Sequence, residues 1–147
     1  MRALACLVAL TACWSEPPPV APRPPPPTLH PASPLVPSLV AVPAKLTMAE
    51  RAAFRLRWRV YNDGRETVDT KLAGGSRLLI NGAASNSWNN AVLNGAVDPD
   101  WDALRPGKEI TVDYPFGEGF FPAPGDYTLV LELEHAASKP IHVHVDP

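Results

Sequence analysis

Residues 54–64 read Phe54-Arg55-Leu56-Arg57-Trp58-Arg59-Val60-Tyr61-Asn62-Asp63-Gly64. Side chains of an extended strand point alternately to two faces, so a period of two separates Phe54, Leu56, Trp58 and Val60 from Arg55, Arg57, Arg59 and Tyr61. The first face is apolar enough to be core, and the second is a row of charges that belongs in water. Asn62-Asp63-Gly64 then supplies turn chemistry. A half-buried strand is expected here, and the rest of the chain is read outward from it.

The same alternation recurs downstream. Ile110, Val112 and Tyr114 stand opposite Thr111 and Asp113; Tyr127, Leu129, Leu131 and Leu133 stand opposite Thr128, Val130, Glu132 and Glu134. A last strand turns Ile141, Val143 and Val145 inward and His142 and His144 outward. Weaker patterns predict strands at Leu39–Val42, Glu66–Leu72 and Arg77–Ile80. No stretch has a convincing helical period; Asp98-Pro99-Asp100-Trp101 alone reads as a helical turn, with Asp98 as cap and Pro99 in first position. About seven short strands with turn signals between them predict an all-β antiparallel sandwich over residues 38–147.

That domain resembles immunoglobulin-like and fibronectin-type domains. The resemblance lies in Leu104-Arg105-Pro106-Gly107, then a strand, then Pro124-Gly125-Asp126-Tyr127 opening the next. It implies that Tyr127, at the start of the penultimate strand, ties its hydroxyl to nearby backbone. Val60-Tyr61-Asn62-Asp63-Gly64 is similar to the strand and turn that open many extracytoplasmic adhesion-type and proteinase-inhibitor-type β domains. A fold shared this widely supports architecture rather than role.

The N-terminus has its own logic. Arg2 precedes an apolar run from Ala3 to Leu10, followed by the small residues Thr11 and Ala12, which is the order of a secretory signal. The run falls short of the ~20 apolar residues that span a bilayer. Leu10-Thr11-Ala12-Cys13 resembles the lipobox of bacterial lipoproteins. The resemblance implies that residues 1–12 are removed and that Cys13 is acylated, becomes the mature N-terminus and holds the protein on a membrane. Trp14, where aspartate would retain the protein at the inner membrane, implies the outer membrane, with the domain facing the periplasm or the surface.

Cys6 and Cys13 are the only cysteines. After cleavage no intrachain disulfide is possible, and no thiolate remains for a blue-copper site, so the domain must stand on its apolar core. Twelve of the nineteen prolines lie between Pro17 and Pro43. Proline fixes φ and lacks a donor, which leaves extended polyproline II at ~3.1 Å per residue as the low-energy form. Residues 13–37 are therefore read as a tether.

A net charge of −2 with 19 % charged residues lacks the clustered basic surface that nucleic acid requires. Two segments carry candidate contact residues. Residues 81–101 set Trp88 and Trp101 among Asn81, Asn86, Asn89, Asn90 and Asn94, and residues 115–122 set Phe116, Phe120 and Phe121 among glycine and proline. Rings beside amides suit sugar hydroxyls and protein partners alike. Trp88, Asn89, Trp101, Phe116, Phe120 and Phe121 are thus the candidate binding residues, for an envelope protein or a glycan. The competing reading has these rings plugging the open end of a small core.

His142 and His144, with Glu132 or Glu134 on a neighbouring strand, could approach a zinc or copper set. Asp98, Asp100, Asp102 and Glu109 carry the spacing of a calcium loop, but Ala103 replaces its turn glycine. No nucleophile elbow, phosphate loop or dinucleotide fingerprint occurs. A non-enzyme without a cofactor is expected, with a membrane-tethered binding module first among its functions. A proteinase inhibitor acting through residues 115–123 and a periplasmic metal handler using His142 and His144 are the alternatives.

Overall fold

The structure, a computed structural model, describes residues 33–94 and 99–147. Among them nine strands form two sheets. The first sheet holds β1 (Leu35–Val42), β3 (Arg55–Asn62) and β6 (Glu109–Tyr114), in the order β1-β3-β6 and antiparallel throughout. The second holds β2 (Lys45–Thr47), β9 (Ile141–Asp146), β7 (Gly125–Leu133), β4 (Arg77–Ile80) and β5 (Ala83–Ala84) in that order, with β8 (Ala136–Ala137) also on β7. Its pairs are antiparallel except β2 with β9. The described residues are mostly β-strands in two sheets with few helices, consistent with the all-β fold that the period of two predicts.

The alternation of β3 is complete: Leu56, Trp58 and Val60 are buried while Arg55, Arg57 and Arg59 are exposed. Across the core, β7 buries Leu129, Leu131 and Leu133, and β9 buries Val143 and Val145. Trp58 lies at the centre, with Trp88 and Trp101 edge-on at centroid distances of 5.8 and 5.7 Å. A second aromatic group joins Phe54 edge-on to Phe121 at 4.9 Å and to Phe120 at 6.5 Å. Burying each such side chain is worth about 1.5–3 kcal/mol, which is how a domain without a disulfide holds together.

Several expectations need correction. β1 begins at Leu35, inside the segment read as tether, and includes Pro37. Asn62 exchanges backbone hydrogen bonds with Lys108 and Gly107, so the even-numbered residues of β3 turn toward β6 and the odd ones toward β1. Pro37 pairs with Val60, so its nitrogen points out of the sheet edge, where a missing N–H costs no ladder bond. Glu66–Leu72 is not a strand. Only Val68 bridges to Leu104, and Leu72–Gly75 forms a short helix, α1. The buried Asn62 organises this stretch, its amide donating to the carbonyls of Glu66 and Leu104 while its oxygen accepts from the Gly64 N–H.

Nor are the loops irregular. Asn86–Asn94 is a helix, α2, whose Trp88 N–H donates to Ser85 Oγ at 3.3 Å, an N-cap bond. Trp88 and Val92, one turn apart, are its buried anchors. Gly117–Phe120 forms a helical turn, α3, that buries Phe120. A side chain on Gly117 would run into the Arg51 carbonyl and Phe54, so glycine permits this close approach.

Tyr127 does what the resemblance implies. Its hydroxyl donates to the Ala123 carbonyl at 2.7 Å and accepts from the Ala123 N–H at 3.3 Å. Tyr127→Phe is expected to cost about 1 kcal/mol, read from urea unfolding, since the ring and its contact with Phe121 remain.

Candidate functional site

The aromatic loops do not present their rings. Trp88, Trp101, Phe120 and Phe121 are all buried, Phe121 and Trp88 completely. Phe116 is half-buried and stacks on Tyr114 at 5.1 Å. Asn89 is half-buried beside a hollow of about 300 Å³ between α1 and α2. The four buried rings are therefore core plugs rather than a contact patch, because a domain this small needs them to close the end of its sandwich. Cys13 and Asp98 lie outside the described residues.

The metal constellation does not assemble either. Glu132 is taken by Arg77 at 2.7 Å, Glu134 is paired with His135 at 3.7 Å, and His142 Nδ1 lies 3.2 Å from the Thr128 hydroxyl. Among the described residues no three His, Cys, Asp or Glu side chains are grouped to hold a metal ion. Residues 115–123, the inhibitor loop of the alternative reading, insert Phe120 and Phe121 into the core.

His144 has a different role. Its Nδ1 lies 2.6 Å from Asp126 and its Nε2 3.0 Å from Asp146, which also pairs with Lys45 at 3.1 Å. Carboxylates only accept, so making both contacts at once calls for both ring nitrogens to donate, and the two acids favour the protonated ring. The hydrogen bond to Asp126, then that to Asp146, holds its pKa above the ordinary histidine value. A raised folded pKa adds stability that is complete below the ordinary value of about 6.5 and fades as pH rises through the folded value. Resistance to urea unfolding is expected to weaken over that window in the wild type and to lose this component in His144→Gln.

The outer face of β1-β3-β6 is the surface that sequence reasoning passed over. Three columns run along it. β1 exposes Val36, Val40 and Val42 at 45, 51 and 49 %. β3 contributes Arg55, Arg57 and Arg59, and β6 contributes Glu109, Thr111 and Asp113. The register sets Arg57 opposite Asp113 and leaves Arg59 diagonal to Glu109. Arg57 grips Asp113 with two bonds, at 2.8 and 2.9 Å, and Arg59 reaches Glu109 at 3.2 Å. The Arg57 guanidinium lowers the Asp113 pKa and is itself held further in its charged form. Solvent screens these half-exposed pairs, so they orient side chains more than they stabilise the fold.

Between the columns lies a shallow depression of about 540 Å³, lined by Ser38, Val40, Arg57, Arg59, Thr111 and the two acids. It offers guanidinium donors, carboxylate acceptors, hydroxyls and valine methyls on a rigid sheet, which suits non-covalent recognition of a polar chain with an apolar side. The signal for it was the alternation itself: exposed arginines on β3 fell opposite acids on β6, but only strand order brings them together. No protein-family model matches this chain, and no curated protein matches it.

Proposed function

We propose that this chain is a bacterial envelope lipoprotein, lipidated at Cys13, whose immunoglobulin-like domain is a non-catalytic binding module. Support for the immunoglobulin-like reading comes from strand order. Setting aside the short β2, β5 and β8, six strands remain: the first, second and fourth (β1, β3, β6) share one sheet and the third, fifth and sixth (β4, β7, β9) the other, the division that such domains make between their two sheets once one strand of the first sheet is left out. The Tyr127 corner agrees.

The binding reading is carried by one observation, the exposed valine, arginine and acid columns around the depression on β1-β3-β6. A lipidated Cys13 followed by a proline-rich spacer would keep this face near a membrane and leave it open to an envelope protein or glycan. Two measurements test this. Labelled palmitate is expected in the wild type and absent from Cys13→Ser, and label persisting in that variant rejects the anchor. Crosslinking in intact cells is expected to recover the lipidated protein with a discrete neighbour, and recovery of the protein alone rejects the binding role.

A further inference from the structure

We propose that the outer edge of β6 is a strand-addition site for an extended peptide of alternating basic and apolar residues. This rests on the reading of the domain as a binding module and names the class of its partner. The register pairs Ile110, Val112 and Tyr114 with the β3 residues that turn toward β6. Thr111 and Asp113, lying between them, therefore point their N–H and C=O groups out of the sheet, and no strand of the described residues pairs with that side. An unpaired row of this kind is a template for another chain.

The opposite edge is blunted over its first half. On β1 the outward N–H of Leu35 is taken by Ser33 Oγ at 3.2 Å, and Pro37 has no N–H to offer. Among the described residues β6 has neither device.

Side chains along β6 state what would fit. Glu109 and Asp113 take their arginines from the β3 side, yet 49 and 46 % of their side-chain surfaces remain exposed. Basic residues on an added strand would complete the row from the other flank. Facing inward, Val112 and Tyr114 are half-buried and would be covered by apolar residues at the alternate positions. A second copy of this chain fits poorly. Two-fold pairing of β6 about Thr111 sets Glu109 against Asp113 twice, and pairing about Val112 sets Asp113 against Thr111 while crowding the acids along one face.

The test uses the full chain in detergent with a fluorescent peptide of alternating lysine and valine, its glutamate–valine counterpart, and amide hydrogen exchange. The lysine peptide is expected to bind about tenfold or more tightly over its counterpart and to slow exchange at Thr111 and Asp113. Thr111→Pro removes an outward N–H, as Pro37 does on β1, and is expected to weaken binding about tenfold with its unfolding curve retained. Should that variant unfold, Asp113→Lys supplies the second readout and is expected to shift preference toward the glutamate peptide. Equal binding of both peptides, or unchanged exchange at Thr111 and Asp113, overturns the proposal. Discrete crosslinks in cells alongside such a failure would remove the β6 edge alone, whereas loss of both would remove the binding module as well.

Discussion

Trp58→Ala is expected to lower the unfolding free energy by about 3–5 kcal/mol. The ring is fully buried at the middle of β3, and both Trp88 and Trp101 rest on it edge-on. Removing it opens a cavity that β3 cannot close, because its backbone is held in register by strands on both sides. A domain of this size has only about 5–15 kcal/mol in total, so the loss takes a large share of its stability. Trp58→Phe separates ring packing from hydrogen bonding. The Trp58 indole N–H has no hydrogen-bond partner among the described residues, so the smaller ring loses volume alone and is expected to cost less than half as much. Equilibrium urea unfolding followed by circular dichroism measures both.

Trp88→Ala and Phe120→Ala are expected to cost a further about 3–5 kcal/mol each when made singly. Trp88 anchors α2, touches Trp58 and Tyr114, and donates its indole N–H to Ser76 Oγ at 3.2 Å. Phe120 closes the end of the sandwich against Phe54, Phe116 and Phe121. Both changes would diminish partner recovery only by unfolding the domain. Asn89→Ala, on the same helix but half-exposed, is expected to move stability by about 0.5 kcal/mol or less. Retained stability in Trp88→Ala with loss of a partner would return the loops to the role of contact site.

The strands were legible because each carried a pattern that survives on its own. Four alternating residues on each face of β3 outweigh any local competitor, and Leu129, Leu131 and Leu133 do the same for β7. What was not legible depended on distant residues. α2 has only Trp88 and Val92 as buried anchors, too few for a helical period to show against its asparagines. Pro37 reads as a strand breaker until its register shows that the missing donor points out of the sheet. Glu66–Leu72 alternates like a strand, but the buried Asn62 and the pairing of Val68 with Leu104 hold it as a coil.

The candidate site followed the same rule. Aromatic and amide residues in loops stood out by composition, and burial removed their rings from the surface. Arg57 and Asp113 stand 56 positions apart and become a site only once β3 and β6 are neighbours. Sequence reading recognised the charged face of β3 as solvent-facing but had no means of finding its partner column.

We propose that the β1-β3-β6 face is what meets another envelope component. A photoreactive side chain placed in turn at Val40, Thr111 and Asn90 of the full chain, in intact cells, tests it most directly, because Val40 and Thr111 lie on that face and exposed Asn90 lies on α2. The expected result is one discrete adduct of the same mass from Val40 and Thr111, and none from Asn90. Adducts from Asn90 alone, or from no position, would contradict it.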